Sequence, residues 1–217
     1  MNLEQARFNM VEQQVRPWDV LDNRVLDVLQ ALPREAFVPE AYRNVAYADM
    51  EIPLGHGESM MAPKIDGRIL QALGIQPHEL TLEIGTGSGF LTACMAKLAG
   101  EVHSVDIYED FKYLAMKNLA EQGIQNTVLR TADAKDGWGL ATRYDAIAVT
   151  ASMPEYRPVF EPYLALNGRL FVVVGEAPVM TARLITRVGE HEFATTDLFE
   201  TNLKAMIGLE QKPEFVF

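Results

Sequence analysis

Cysteine is almost missing from this chain. With Cys94 as the sole one in 217 residues, an internal disulfide is excluded, and so is any zinc knuckle that needs a second thiolate. Positive charge is also scarce: 19 Lys and Arg stand against 30 Asp and Glu, for a formal net charge of -11. Such a mean field repels phosphate backbones and argues against nucleic acid as a partner. The four histidines, His56, His78, His103 and His191, show no metal-ligand spacing such as HxxxH, so no metal site is expected. Long apolar runs are lacking as well. The stretch Leu170 to Val174 falls far short of the roughly 20 residues that cross a bilayer. Glu4, Arg7 and Glu12 interrupt the N-terminal stretch where a signal peptide needs an apolar core, and a cytosolic protein is the expectation. There is no repeat, low-complexity tract or Pro/Ser-rich linker to divide the chain.

What is present is an alternation. The sequence is expected to fold as one domain over 1–217, with an N-terminal cap and substrate loop in 1–62 and an α/β core in 63–217. Within the cap, Val25, Val28, Leu29 and Leu32 keep helical spacing after an N-cap at Asp22, and Pro33 stops the helix. Ile52 to Pro63, with two glycines and two prolines, reads as a loop. From Ile65 the pattern predicts a helix to Leu73, a strand at Leu80 to Ile84, a helix at Ser88 to Leu98 and a strand at Glu101 to Val105. A helix at Glu109 to Gln122 and strands at Thr127 to Arg130 and Tyr144 to Thr150 follow. After them come a helix near Glu155 to Leu164, a turn at Asn167-Gly168 and a strand at Arg169 to Val174. This alternation implies a doubly wound, mostly parallel Rossmann-like sheet. Thr181 to Val188 and Glu192 to Phe199, around Gly189-Glu190, read as a C-terminal antiparallel hairpin.

The chemistry is concentrated after the first core strand. Glu83-Ile84-Gly85-Thr86-Gly87-Ser88-Gly89-Phe90 spaces its glycines at 85, 87 and 89. A dinucleotide fingerprint would put its third glycine at position 90, where this chain has Phe. Glycines here let the backbone turn tightly against a ligand, and the N–H groups at the next helix start can bind a carboxylate such as that of methionine. Asp106, ending the second strand, can accept hydrogen bonds from both hydroxyls of a ribose. Asp133, just past the third strand, is placed to receive an adenine amino group. An amino acid, a ribose and an adenine together describe S-adenosylmethionine. Strand ends in open α/β sheets are where ligands bind, so the three elements converge on one crevice.

With these residues in view, the chain resembles the protein-L-isoaspartate O-methyltransferase family over nearly its whole length. The blocks that carry the resemblance are Val11 to Arg16, Leu32 to Pro39, Ile52 to Gly55, Leu82 to Gly89, Tyr144 to Ala151 and Asn167 to Leu170. The N-terminal blocks are more specific than the glycines, which many methyltransferases share. The resemblance implies a class I methyltransferase fold, S-adenosylmethionine as cofactor, and methyl transfer to the abnormal carboxylate of isoaspartyl residues in damaged protein. Such an acceptor needs little activation, because a carboxylate of ordinary pKa about 3.9 is already ionised at neutral pH.

Three blocks depart from the family. Where its substrate loop carries Thr-Ile-Ser, this chain has Ser59-Met60-Met61. Its Phe-Val-Pro-Leu is matched only by Phe199 or by Glu200 to Leu203, and its Gly-Asp-Gly is Ala132-Asp133-Ala134 here. The expected acceptor-side residues are therefore Ser59, Met61 and His56. The expected cofactor residues are Glu83, Gly85, Thr86, Gly87, Ser88, Gly89, Asp106, Ile107, Asp133, Ala134 and Thr150. Two alternatives remain open. One is a different acceptor, such as a small molecule, with His56 as general base for an amine or hydroxyl. The other is a protein that binds S-adenosylmethionine without catalysis. The methionines Met10, Met50 and Met95 read as core filling, with Met60 and Met61 set apart by their place in the substrate loop.

Overall fold

The computed structural model describes residues 2–137 and 141–210. In chain order its elements begin with α1 (Leu3–Met10), α2 (Asn23–Ala31), β1 (Ile52–Gly55), β2 (Glu58–Met60), α3 (Pro63–Leu73), β3 (Leu80–Ile84) and α4 (Phe90–Leu98). Then come β4 (Glu101–Asp106), α5 (Glu109–Glu121), β5 (Thr127–Thr131), β6 (Tyr144–Met153), β7 (Leu164–Glu176), β8 (Val179–Arg187) and β9 (Phe193–Thr201). Local chemistry accounts for several boundaries. The Asp22 carboxylate accepts from the Arg24 N–H and caps α2, Pro63 opens α3, and Gly74 ends it in the left-handed region at φ 54.

Seven strands form one sheet in the order β5-β4-β3-β6-β7-β8-β9. The first five are parallel, with registers such as Thr81 opposite Val102 and Ala146. β8 and β9 then add antiparallel strands at one edge. The chain runs outward from β3 through β4 to β5, then returns to β6 on the other side of β3. That reversal makes the C-terminal ends of β3, β4 and β6 the place where a crevice opens. Strand alternation sends Ala146, Ala148, Phe171 and Val173 to one hydrophobic cluster, shared with α2, α3, α4 and the start of the chain. It sends Ile147, Val149, Leu170 and Val172 to a second, shared with Phe160, Leu164 and Met206.

Three expectations are corrected. The segment Ile52 to Pro63 is not a plain loop: β1 and β2 pair antiparallel, Ile52 opposite Met60, around a turn with His56 at φ 53 and Gly57 at φ 74. The helix expected near Glu155 to Leu164 is a 3-10 segment, Pro158–Tyr163. Pro158 and Pro162 each lack the N–H that an α-helical ladder needs. The strand expected from Arg169 already begins at Leu164, and the predicted Asn167-Gly168 turn is an irregularity inside it, with Asn167 at φ 64. The lone Cys94 is fully buried, as core packing requires.

Candidate active site

The glycine loop sits on the tip of β3. Gly85, Gly87 and Gly89 have φ of 99, 51 and 83, conformations that side chains of L-residues rarely adopt. Thr150 of β6 stands behind Gly85, its hydroxyl donating to the carbonyls of Ile84 at 2.9 Å and Gly85 at 3.2 Å. Gly89 plays a different part: a Cβ there would lie 2.9 Å from Ala115 Cβ, so its absent side chain lets α4 approach α5. The Asp106 carboxylate, ending β4, spans the next gap. It accepts from the Gly87 N–H at 2.8 Å and the Tyr108 N–H at 2.9 Å, leaving further lone pairs on both oxygens. Burial pushes its carboxyl upward, with the two backbone donors opposing.

These groups line a cleft that, with its solvent-open mouth included, has about 1070 Å³ of empty space. Gly85, Gly87, Asp106, Ile107, Asp133, Ala134 and Thr150, from the expected cofactor set, all face it. Ser59 and Met61, expected on the acceptor side, line it too, so the glycine loop and the segment that follows the β1–β2 turn share one space. A smaller adjoining cavity is lined by Glu83, Thr86 and Ser88 together with Gly85, Gly87, Ser59 and Met61. His56 lines neither. Its ring stacks on Tyr108 at 4.0 Å, and its Nε2 lies 2.7 Å from Asp110 Oδ2. Asp133 is engaged by its neighbour Lys135, whose ammonium holds its carboxyl below the usual carboxylate range.

Several cleft residues were invisible in the sequence. Leu203 to Ile207 form a wall of the cleft. Ser152, at the end of β6, ties this segment down. It donates from its hydroxyl to the Leu203 carbonyl at 2.8 Å and from its N–H to the Lys204 carbonyl at 2.9 Å, and its own carbonyl accepts from the Met206 N–H at 2.8 Å. Lys204 then reaches across to Glu58 and to the Gly57 carbonyl at 3.0 Å, closing the wall against the β1–β2 hairpin. Below the acceptor loop lies Arg34, fully buried. Its guanidinium donates to Asp66 at 2.7 Å, to the Ala46 carbonyl at 2.9 Å and to the Met61 carbonyl. It also lies over the Phe90 ring at 4.8 Å, so one side chain braces both the acceptor loop and the helix that follows the glycines.

Among the described residues no group of His, Cys, Asp and Glu could hold a metal ion, and no helix is long and apolar enough to cross a membrane. The family model for protein-L-isoaspartate(D-aspartate) O-methyltransferase matches residues 6–208. The chain is 34% identical over 213 residues to protein-L-isoaspartate O-methyltransferase 2 of Marinobacter nauticus, covering 98% of this chain and 97% of that one. It is 39% identical over 178 residues to the protein-L-isoaspartate O-methyltransferase of Opitutus terrae, covering 80% and 76%. In fold it is similar to a Plasmodium falciparum beta-aspartate methyltransferase solved in complex with S-adenosyl-L-homocysteine. That match has a TM-score of 0.77 at 21% identity, over 95% of this chain and 98% of the other. The chain belongs to the protein-L-isoaspartate O-methyltransferase family.

Proposed function

We propose that this protein uses S-adenosylmethionine to methylate the free carboxylate of isoaspartyl residues in damaged protein. The observation that carries the reading is the shared cleft, in which Gly85, Gly87 and Asp106 face the acceptor loop residues Ser59 and Met61. The residues suit the cofactor. Gly85 and Gly87, at φ 99 and 51, bring bare backbone to the cleft wall, and Glu83 keeps one buried carboxyl oxygen without a partner among the described residues. Bound there, S-adenosylmethionine supplies an electrophilic methyl group on a positively charged sulfur. Asp106 is the acceptor for ribose hydroxyls, and the two wall carboxylates that the cleft lysines do not pair, Glu51 and Asp106, favour a cation. The remaining expected contacts, Thr86, Ser88, Gly89, Ile107, Ala134 and Thr150, shape the loop and walls.

The acceptor carboxylate needs no general base, so the chain's task is to hold one oxygen in line with the methyl group. Positioning of this kind can contribute several kcal/mol, within the roughly 7–11 kcal/mol reachable by orientation alone. Ser59 has a hydroxyl to donate, while His56, turned onto Tyr108 and Asp110, lies outside the cleft. One observation favours a second reading, an uncharged acceptor. Both lysines on the cleft wall are already paired, Lys135 with Asp133 and Lys204 with Glu58.

Met61→Ser decides between them. If the acceptor is an isoaspartyl carboxylate and the thioether withholds a donor, the substitution should raise kcat/KM on an isoaspartyl peptide about tenfold or more, since a desolvated unpaired acceptor costs about 1–3 kcal/mol. Unchanged, family-like turnover in both proteins would show that Met61 is neutral. Absence of isoaspartyl turnover in both, with methylation of a neutral acceptor, would establish the second reading.

A further inference from the structure

An isoaspartyl carboxylate, the acceptor reading on which this inference rests, brings a negative charge into a cleft already rich in carboxylates. Glu51, Glu58, Asp106 and Asp133 stand on its walls against Lys135 and Lys204. An anion in such a field needs a cation close by. Lys135 is poorly placed to serve: it follows β5, the edge strand, and its ammonium is held by Asp133. Ser59 and Met61, by contrast, share their smaller cavity with Glu83 of β3 and Thr150 of β6.

Lys204 spans the acceptor side of the cleft. Its backbone is fastened to the end of β6, where the Ser152 hydroxyl donates to the Leu203 carbonyl at 2.8 Å and the Ser152 N–H to the Lys204 carbonyl at 2.9 Å. Its ammonium reaches the opposite wall, donating to the Gly57 carbonyl at 3.0 Å and to Glu58, the residue before Ser59. An ammonium has three N–H donors, and these contacts use two. The side chain is half-exposed, so a further partner can reach it. An ion pair this open is worth little, and sharing the ammonium between Glu58 and an incoming carboxylate costs correspondingly little.

We propose that Lys204 determines specificity for an anionic acceptor, its third N–H taking the carboxylate oxygen that is not methylated. The other oxygen stays free to attack. Methyl transfer forms one O–C bond and breaks one S–C bond, whose electron pair stays on sulfur. Carboxylate and sulfonium become ester and thioether, and no proton moves. The acceptor's charge fades as the new bond forms. A cation beside it therefore strengthens peptide binding more than it speeds the step, and the neutral ester that results no longer holds the ammonium.

The test uses a fluorescein-labelled isoaspartyl peptide and a twin in which the same α-carboxyl is a carboxamide. Both are titrated with protein saturated with S-adenosyl-L-homocysteine and followed by fluorescence anisotropy. The wild type should prefer the carboxylate by about tenfold to a hundredfold, as a hydrogen bond between charged groups implies. Lys204→Met should erase that preference without weakening the carboxamide, and in turnover should raise KM more than it lowers kcat. Lys204→Arg keeps the charge and should keep most of the preference. A preference that survives Lys204→Met would overturn the proposal. So would an equal loss of affinity for both peptides, which would make Lys204 a brace for the cleft wall, and so would a wild type that methylates the isoaspartyl peptide yet binds the two alike. A wild type that binds S-adenosyl-L-homocysteine but neither binds nor methylates the isoaspartyl peptide would overturn the acceptor reading itself. Should Lys204→Met not fold, Glu58→Gln decides: with the competing carboxylate gone the isoaspartyl peptide should bind more tightly, and equal or weaker binding refutes the proposal.

Discussion

Gly85→Ala is expected to abolish cofactor binding, with an affinity loss of more than a hundredfold. A Cβ at this position overlaps the Thr150 hydroxyl outright and approaches Thr150 Cβ to 3.5 Å. Thr150 cannot step aside cheaply, because its hydroxyl is held by the Ile84 and Gly85 carbonyls. Nor can Gly85 turn away, since its N–H donates to the Val105 carbonyl at 2.8 Å. Its φ of 99 adds strain on the order of 1–3 kcal/mol for any other residue. The loop must therefore shift, and it is the loop that faces the cleft. The double variant Gly85→Ala with Thr150→Ala removes the clash and leaves the backbone strain, so it should regain part of the affinity. Calorimetry and thermal melts on both variants check this. Native affinity in Gly85→Ala would show that the loop does not cradle the cofactor.

Asp106→Ala is expected to weaken the cofactor by about tenfold to a hundredfold, the equivalent of roughly 1.5–3 kcal/mol for hydrogen bonds to a charged acceptor. Two effects combine. In the proposed binding mode the ribose hydroxyls would lose their acceptor, and the Gly87 and Tyr108 N–H groups lose theirs. Asp106→Asn separates the two, because it keeps one oxygen and turns an NH₂ toward a donor. If ribose recognition dominates, the asparagine variant should fall between wild type and alanine. Equal affinity in all three proteins, measured with S-adenosyl-L-homocysteine, would remove Asp106 from the site.

The parts of this site that could be read in the sequence are those whose chemistry is local. Gly85 to Gly89 needs no partner to announce a tight turn, and Asp106 follows from its place at a strand end. Asp22 predicted the start of α2 because an N-cap acts within three residues. The rest depends on partners far away in the chain. Arg34 meets Asp66, 32 residues on, and Lys204 meets Glu58, 146 residues back. Neither pairing leaves a trace in spacing. The β1–β2 hairpin was hidden because its strands span only four and three residues, too short for alternation to register. Pro158 and Pro162, four residues apart, break the α-helical ladder that the apolar spacing between them suggests. Leu203 to Ile207 became a cleft wall only through Ser152, a contact made across the sheet.

The identity of the acceptor defines this activity. Its most direct test is methyl incorporation from labelled S-adenosylmethionine into an isoaspartyl peptide beside its aspartyl twin of the same sequence. Turnover of the isoaspartyl peptide, with at most trace labelling of the twin, is the result predicted here. Equal labelling of both, or none of either by protein shown to bind the cofactor, would contradict it.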